Sequence, residues 1–400
     1  MEGLPGPPPG GVYMDNNATT AVAPEVVAAM LPYLTEHYGN PSSMHGFGAR
    51  AGEAVAAARE QVLALLGAEL PSEIVFTSGG SESDNLAIVG TLHANPGKRH
   101  IVTTAVEHPA VLGLCRDLEK RQGCAVTYLG VDPDGNLDLD ELADAIGPDT
   151  AVVSVMMANN ETGVLFDPAA VGQIVKAKGA VFHVDAVQAA GKLPLDLRSL
   201  EVVDLLSLSG HKLHAAKGVG ALYVRKGTKI RPLIVGGHQE RGRRAGTENV
   251  AAIAGLGVAC DLARAGREVE DTTVRAMRDR LETLLLERVP DSRRNGDPVR
   301  RLANTTNISF EYIEGEGILL LLDRAGVAAS SGSACTSGSL EPSHVLRAMG
   351  IPFTRAHGSI RFSLSRYNTM EQVEYVAQVL PVIVARLRQI TPFNAQRATF

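Results

Sequence analysis

Lys212 and Asp185 are the two residues of this chain whose types and surroundings could hold an aldehyde cofactor. Lys212 ends the segment 209–212, which follows the apolar run 203–206, and Asp185 directly follows the apolar run 181–184. A lysine that forms a Schiff base with pyridoxal phosphate (PLP), with an aspartate on the ring nitrogen, uses these residue types. The alternatives are a solvated lysine and an aspartate that caps a helix. The ends of predicted strands favour a site, because α/β proteins place their chemistry there.

A loop of small residues at 77–85 could bind a phosphate. It lies between a predicted strand at 73–77 and a predicted helix that starts near Leu86. Backbone N–H groups at Gly80 and Ser81 could approach an anion, and the start of the helix would favour its charge. The loop matches neither a Walker A nor a dinucleotide motif. A plain strand-to-helix connection with Ser81 as the cap is the alternative.

Four further side chains suit an amino-acid substrate or its cofactor. His108 follows a predicted strand and could stack on a flat ring and move protons near neutral pH. Asn160 could bind a phenolic oxygen or a carboxylate, Thr247 could donate its hydroxyl to a phosphate, and Arg361 could bind a carboxylate through two N–H groups. The alternatives are a structural histidine, a turn asparagine, an exposed loop at 241–249 and one arginine among many.

The segment 328–339 consists of small and polar residues around one cysteine, Cys335. A run of this composition cannot pack a core, so we predict a mobile loop with an exposed, reactive thiol. An incidental cysteine in a flexible linker is the alternative. The other cysteines are predicted to be buried small hydrophobes, and they are Cys115, Cys124 and Cys260. Without a CxxC pair, neither a zinc site nor a disulfide framework is predicted.

The composition is that of an ordinary globular protein. A chain of 400 residues with 45% hydrophobic and 20% charged residues is long enough for two domains that share one cleft. Its net charge of −6 argues against a nucleic-acid-binding surface. A run of about 18 apolar residues, which a membrane span requires, is absent. Residues 1–11 do not resemble a signal peptide, so a cytoplasmic location is expected.

Short apolar runs alternate with helical patterns through the first part of the chain. The predicted strands there are 73–77, 101–104, 151–155, 181–184 and 220–224. This alternation predicts a mostly parallel sheet that helices cover on both faces.

Helix ends are also predicted from the sequence. A helix at 53–66 should end at Gly67, and Pro24 should lie in the first turn of an earlier helix. A long charged helix is predicted around 263–286, with the domain change near its start. Thr369 begins a capping box for the last helix, which Pro381 should kink or end.

A set of motifs, taken in order, resembles those of the NifS/IscS-type cysteine desulfurases, a branch of the class-V aminotransferase group of PLP enzymes. The motifs are DNNATT at 15–20, GNPSS at 39–43, SGGSESD at 78–84, EHP at 107–109, NNETG at 159–163, SGHK at 209–212 and SGSAC at 331–335. The resemblance runs from Val12 to about Leu387. It implies the α/β, aspartate-aminotransferase-like fold (fold type I): a large domain at 17–265 with a mostly parallel seven-stranded sheet, and a smaller α+β domain. The smaller domain would comprise 1–16 and 266–400 and carry the mobile Cys335 loop at about 329–342.

The resemblance implies a role for each candidate residue. Lys212 would hold the PLP aldehyde and then serve as the base at the substrate α-carbon, His108 would stack over the ring, and Cys335 would accept sulfur. Asp185 would contact the ring nitrogen and Gln188 the phenolic oxygen. The phosphate would be held by Gly80, Ser81, Ser209 and His211, with Thr247 from the second subunit of a homodimer. Asn160, beside the cofactor, and Arg361 would bind the substrate carboxylate.

The resemblance also implies the reaction and its partners. L-Cysteine would be converted to L-alanine, Cys335 would become a persulfide, and an iron–sulfur scaffold protein would accept the sulfur. Segments 210–214 and 239–249 resemble the nitrogen-fixation NifS branch. No metal is expected in the active site beyond transient cluster ligation by Cys335 during transfer, and neither nucleic acid nor membrane is an expected partner. Two positions depart from the pattern, Ser81 for threonine and Ala216 for proline.

Three other functions remain open at this point. A selenocysteine lyase would tolerate loss of Cys335, and a class-V aminotransferase would have no need of a loop thiol. A non-enzymatic sulfur carrier or scaffold-binding protein would be expected to have lost at least one of Lys212, Asp185 and His108.

Overall fold

The computed structural model of the protein describes residues 6–331 and 342–391. Its strands are β1 Val12–Tyr13, β2 Ile74–Thr77, β3 His100–Thr104, β4 Ala125–Leu129, β5 Thr150–Met156, β6 Val181–Asp185, β7 Leu205–Ser209, β8 Gly220–Val224, β9 Ser292–Arg294, β10 Thr305–Phe310, β11 Val327–Ala328 and β12 Ser359–Ser363. Its helices are α1 Pro24–Thr35, α2 Gly46–Leu66, α3 Gly80–Ala94, α4 Pro109–Gln122, α5 Leu139–Ala145, α6 Pro168–Ala177, α7 Val250–Ala265, α8 Arg267–Val269, α9 Arg275–Arg288, α10 Gly315–Arg324, α11 His344–Ala348, α12 Phe353–Ala356 and α13 Met370–Ile390.

A seven-stranded sheet with the order β2-β8-β7-β6-β5-β3-β4 forms the centre of the molecule. Strand β8 is antiparallel to both neighbours, and the other pairs are parallel. Along β8, Ala221 and Tyr223 pack in one hydrophobic cluster whereas Leu222 and Val224 pack in another. Because successive side chains point to opposite faces of a strand, both faces of the sheet are buried. The predicted mostly parallel sheet is confirmed.

The C-terminal third of the chain builds a second, smaller sheet with antiparallel pairs in the order β12-β10-β9. The N-terminal strand β1 lies beside it and pairs in parallel with β11. Val12 and Met14 belong to the same hydrophobic cluster as side chains from α9, α10 and α13. Both ends of the chain therefore share one core. The division into domains at 17–265 and at 1–16 with 266–400 stays a prediction.

The parallel strands bring the candidate residues to one edge of the large sheet. Strands β2, β3, β5, β6 and β7 end at Thr77, Thr104, Met156, Asp185 and Ser209. Since these strands run in one direction, the segments that follow them meet outside their carboxyl ends, where α/β proteins bind ligands.

Three of the predicted helix ends occur where the sequence placed them. Pro24 is in the first turn of α1, and Gly67 ends α2 in the left-handed conformation with φ of 60°. Thr369 and Gln372 form the capping box of α13. No helix within 6–331 or 342–391 combines the length and hydropathy needed to cross a bilayer.

The long charged helix predicted around 263–286 is present over 267–288, but a break precedes it and a π-helical turn interrupts it. Helix α7 ends at Ala265, and Gly266, α8 and a π-helical turn at Glu270–Val274 precede α9. The carbonyl oxygen of Leu262 accepts from the backbone N–H of Gly266 at 2.9 Å and from Arg366 Nη1 at 2.8 Å. The Arg366 side chain thus adds a second donor, from outside the helix, to a carbonyl in the last turn of α7.

Pro381 does not end the last helix, which continues to Ile390. A proline removes the N–H that would donate to the carbonyl four residues earlier, here that of Ala377. Arg288 Nη1, from α9, donates to that oxygen at 3.0 Å. The lost donor is replaced by a neighbouring helix, so α13 continues through the proline.

Candidate functional site

An open cavity of about 330 Å³ lies at the carboxyl edge of the large sheet. Apart from Thr247 and Cys335, every residue expected to bind the cofactor or the substrate lines this cavity. They are Gly80, Ser81, His108, Asn160, Asp185, Gln188, Ser209, His211, Lys212 and Arg361. The structure therefore brings together residues separated by as many as 281 positions in the chain, which carry cations, anions, amides and hydroxyls.

Lys212 lies in a 3-10 turn, Gly210–Lys212, directly after β7. Its Nζ donates to the carbonyl oxygens of Asn17 at 2.5 Å and Ala18 at 2.7 Å. The turn needs Gly210, because an added Cβ there would lie 2.9 Å from Val219 Cγ1. The sequence had not given Asn17 or Ala18 an individual role, although both belong to the motif at 15–20.

Asp185 lies at the end of β6 and is 6% exposed. Its Oδ1 accepts from the backbone N–H of Val187 at 2.9 Å. Burial raises the pKa of Asp185 to about 6, while the Val187 N–H and the Lys212 ammonium act in the opposite direction. Accepting from the Val187 N–H therefore does not prevent Asp185 from binding a ligand. A buried carboxylate favours a cationic ligand group beside it.

Asp84, on α3, is a buried carboxyl of the cavity that the sequence had not singled out. It lines the cavity, and its Oδ1 has no hydrogen-bond partner within the described residues. Burial, followed by the charge of Asp185, raises its pKa well above the usual range. Because two neighbouring buried carboxylates would repel each other, this side of the cavity favours either a bound positive charge or protonation of one carboxyl.

His108 caps the start of α4. Its Nδ1 accepts from the backbone N–H of Ala110 at 3.1 Å, so the neutral ring carries its proton on Nε2. Burial, with the nearby charges of Lys212 and His344, lowers the pKa of His108 to about 4. At neutral pH the imidazole is uncharged and can lie against a flat ring or move a proton.

Gln188 has a fixed amide. Its Nε2 donates to the Asn17 carbonyl oxygen at 3.0 Å, and its Oε1 accepts from Lys192 Nζ at 3.2 Å. Lys192 was not among the candidates predicted from the sequence. Burial lowers the pKa of this lysine to about 8, and the charge of Glu270 acts in the opposite direction.

One end of the cavity consists of the start of α3 and the end of β7. An added Cβ at Gly80 would lie 2.9 Å from Val187 Cγ2 and 3.5 Å from Ser209 Cβ. His211 Nδ1 lies 3.2 Å from Thr19 Oγ1, and burial lowers the pKa of His211 to about 4. Helix α3 begins at Gly80, and Gly79 occupies the cap position. Ser81 is therefore not the helix cap that the alternative to a phosphate-binding loop had required. A helix start, two hydroxyls and an imidazole suit a phosphate.

Arg361, on β12, is 3% exposed. Its Nη1 donates to the Asn160 carbonyl oxygen at 3.0 Å, and its Nη2 lies 2.7 Å from Asp15 Oδ1. The expected partners Asn160 and Arg361 are therefore in contact. Asp15 belongs to the motif at 15–20, but the sequence gave no sign that it pairs with Arg361.

Thr247 lies outside the cavity and lines a separate pocket with Arg244 and Glu248. Its loop is anchored by Glu240, whose carboxylate forms two hydrogen bonds with Arg59, at 2.9 and 2.6 Å. Within one chain, Thr247 does not join the other candidates.

Cys335 lies outside the described residues. The other three cysteines are buried free thiols, as the sequence predicted. Burial raises the pKa of the Cys115 thiol to about 12, and it also raises that of Cys260. None of these three is suited to nucleophilic chemistry.

The comparisons with known proteins agree with this geometry. Residues 12–376 match the family model described as aminotransferase class-V. The chain is 60% identical over 387 residues to a cysteine desulfurase of Trichormus azollae, covering 97% of this chain and 96% of that one. It is 58% identical over 382 residues to the cysteine desulfurase NifS of Azotobacter vinelandii, with 96% and 94% coverage.

Solved structures show the same fold. One described as a NifS-like protein superposes with a TM-score of 0.88 at 40% identity, covering 94% of this chain and 100% of the other. A NifS-like protein from Rickettsia africae gives a TM-score of 0.84 at 32% identity, with 94% and 99% coverage. The fold is the α/β fold type I of PLP enzymes, and the chain belongs to the class-V aminotransferase family.

Proposed function

We propose that the protein is a PLP-dependent cysteine desulfurase that converts L-cysteine to L-alanine and receives the sulfur on Cys335. The observation that carries this proposal is the meeting of Lys212, Asp185 and Arg361 around one cavity. An amine for an aldehyde, an acid for a ring nitrogen and a guanidinium for a carboxylate together suit PLP and an amino acid. The family and the names of the relatives support the same function.

The residues present fit the cofactor. Gly80, Ser81, Ser209 and His211 would hold its phosphate. Asp185 supplies a buried carboxyl that a protonated ring nitrogen would pair with. When bound, PLP supplies an aldehyde for Lys212 and an electron-withdrawing ring that stabilises negative charge at the substrate α-carbon.

The protein's own groups would bind, orient and move protons. Lys212 Nζ, held by the Asn17 and Ala18 carbonyl oxygens, takes the proton from the substrate α-carbon. His108, neutral at physiological pH, lies against the ring and moves protons through Nε2. Gln188 donates to the phenolic oxygen, and Arg361, with Asn160, binds the substrate carboxylate.

Sulfur transfer needs no external oxidant. The Cys335 thiolate attacks the substrate Sγ, the new S–S bond forms and the carbon–sulfur bond breaks. The electron pair of that bond stays on carbon, which takes up a proton and becomes the methyl group of L-alanine. The products are L-alanine and a Cys335 persulfide, so atoms and electrons balance. This step rests on the sequence motif at 331–335, because Cys335 lies outside the described residues.

The partners belong to the proposal as well. Thr247, on a loop remote from the cavity of its own chain, would complete the phosphate site of the second subunit of a homodimer. An iron–sulfur scaffold protein would accept the sulfur from Cys335, and the likeness to NifS favours a role in nitrogenase maturation. The cytoplasmic location stays a prediction.

The test compares wild type, Cys335→Ala and Lys212→Ala for alanine and sulfide formation from L-cysteine with a thiol reductant. We expect activity in the wild type alone, with Cys335→Ala still yellow from bound PLP and Lys212→Ala without turnover. Normal activity in Cys335→Ala would indicate a lyase, such as one that acts on selenocysteine, in which the thiol is incidental. An inactive wild type that stays colourless with added PLP would contradict the proposed enzyme.

A further inference from the structure

Two acidic side chains, the partly buried Asp15 and the buried Glu161, bind the residues that flank the Cys335 segment. Ser330 Oγ donates to Asp15 Oδ2 at 3.0 Å. On the other side of the segment, Ser343 Oγ donates to Glu161 Oε2. Serine hydroxyls before and after residues 332–341 are therefore both bound to acidic side chains from the N-terminal half of the chain.

Of these two acidic side chains, Asp15 forms an ion pair with Arg361. Asp15 Oδ1 lies 2.7 Å from Arg361 Nη2, and this oxygen is not the one that accepts from Ser330. Burial raises the pKa of Glu161 to about 7, whereas the Ser343 hydroxyl and the charge of Arg361 lower it. The backbone of Arg361 also pairs with that of Ser330, with N···O distances of 2.6 and 3.3 Å.

The guanidinium of Arg361 retains binding capacity. An arginine has five N–H donors, and the described structure uses one at Nη1 and one at Nη2. Its Nε is buried without a hydrogen-bond partner among the described residues. A buried donor without a partner is costly, and Arg361 lines the cavity, so this side chain is held ready for an anionic ligand.

We propose that Asp15 is a positioning residue for the substrate carboxylate, which holds Arg361 in place and connects it to Ser330. The inference rests on the proposed function and adds one residue to its substrate site. Asp15 fixes the guanidinium through one carboxylate oxygen and is itself fixed by Ser330 through the other. A second carboxylate can then bind Arg361 without first ordering a long side chain, a cost of binding that positioning removes.

The experiment separates the carboxylate of the ligand from the rest of it. L-Alanine and ethylamine share an amine and a methyl group, and only L-alanine has the carboxylate. Binding of each to the PLP-loaded protein is measured by calorimetry for wild type, Asp15→Ala, Asp15→Asn and Ser330→Ala. The matched control is Asp117→Asn, which removes an exposed aspartate–arginine pair on α4, with Arg121.

We expect Asp15→Ala to weaken L-alanine binding about tenfold, the scale of losing a charge-assisted hydrogen bond. Asp15→Asn keeps an acceptor oxygen and should lose about threefold. Ser330→Ala should also weaken L-alanine binding by about threefold. Ethylamine binding should stay at the wild-type value in all variants, and Asp117→Asn should match wild type for both ligands.

Two results would overturn the inference. One is unchanged L-alanine affinity in both Asp15→Ala and Ser330→Ala. The other is an equal loss for ethylamine and L-alanine, which would mean that the substitutions disturb the whole cavity. Circular dichroism and melting temperature identify variants that fail to fold. If Asp15→Ala does not fold, Ser330→Ala tests the same connection between Ser330, Asp15 and Arg361. Turnover of L-cysteine by the wild type is measured on the same samples. An inactive wild type contradicts the proposed function, whereas an active one with unchanged affinities in the variants contradicts only the role of Asp15.

Discussion

Lys192 fixes the side-chain amide of Gln188 in one orientation. Lys192 Nζ donates to Gln188 Oε1 at 3.2 Å and to the Gln188 carbonyl oxygen at 3.1 Å. Since an ammonium can only donate, the amide oxygen faces Lys192 and the amide nitrogen faces Asn17. Gln188 therefore keeps one N–H for a ligand in the cavity, and a residue that does not line the cavity decides which atom is presented.

Replacing Lys192 by Met should weaken cofactor binding. The substitution keeps the long side chain but removes the donor, so the Gln188 amide loses the contact that orients it. We expect the Kd for PLP to rise about threefold to tenfold, the scale of one hydrogen bond. Absorbance titration of the apoprotein with PLP measures it, and Lys192→Arg should retain most of the affinity. An unchanged Kd in Lys192→Met would show that Gln188 does not need this contact.

The buried pair of Arg59 and Glu240 should contribute strongly to stability. Both side chains are buried, and Glu240 also accepts from the backbone N–H of Phe76 at 3.0 Å. Removing one partner leaves an uncompensated buried charge, so Glu240→Ala should lower the free energy of unfolding by about 3–5 kcal/mol. Denaturant unfolding measures it, with the exposed Glu60→Gln as control. The double variant Arg59→Met, Glu240→Met should recover part of the loss, and a loss below about 1 kcal/mol in Glu240→Ala would contradict the prediction.

Gly220→Ala should disturb the phosphate end of the cavity. An added Cβ at Gly220 would lie 2.7 Å from Gly79 Cα and 2.7 Å from the Leu208 carbonyl oxygen, and neither backbone can move freely. We expect a loss of about 1–3 kcal/mol in the free energy of unfolding, together with weaker PLP binding. Gly113→Ala on α4 is the control, because an added Cβ there meets nothing within 4 Å and should stabilise the helix. Wild-type stability in Gly220→Ala would show that β8 can shift without cost.

His183 should make the protein less stable in acid. It is fully buried between Ser154 and Ser207, and burial lowers its pKa to about 3. The unfolded chain takes up a proton below its ordinary pKa of about 6.5, whereas the folded chain does not until near 3. The contribution of the buried, neutral His183 to the free energy of unfolding is therefore complete above about pH 6.5 and is lost as the pH falls toward 3.

The test is the pH dependence of unfolding in His183→Gln, which keeps a donor and an acceptor without titrating. Between pH 7 and pH 4, the free energy of unfolding should fall by about 3 kcal/mol less in His183→Gln than in wild type. Replacement of the exposed His93 by Gln should leave the wild-type dependence in place. Parallel curves for wild type and His183→Gln would mean that His183 is protonated in the folded protein.

The sequence located the site because chemically suited residues follow predicted strands, and parallel strands end at one edge of a sheet. Lys212, Asp185 and His108 were found for this reason. It could not predict the contacts of Asp84 or Lys192, since an acidic residue on a helix or a lysine after a turn is most often solvated. The sequence also could not place Arg288 near Pro381, because this donor comes from a helix that is distant in the sequence. Sequence patterns around Pro381 indicate only that the proline lacks an N–H.

The pairing of β1 with β11 has a consequence for biosynthesis. The large sheet is built from one continuous stretch, β2 to β8, which leaves the ribosome well before β9 to β12. Domains generally form as units in the order of synthesis. Asp15 emerges near the start but meets Arg361 only 346 residues later. The contact between Asp15 and Arg361 at the cavity can therefore form only near the end of translation, long after the strands of the large sheet have been made.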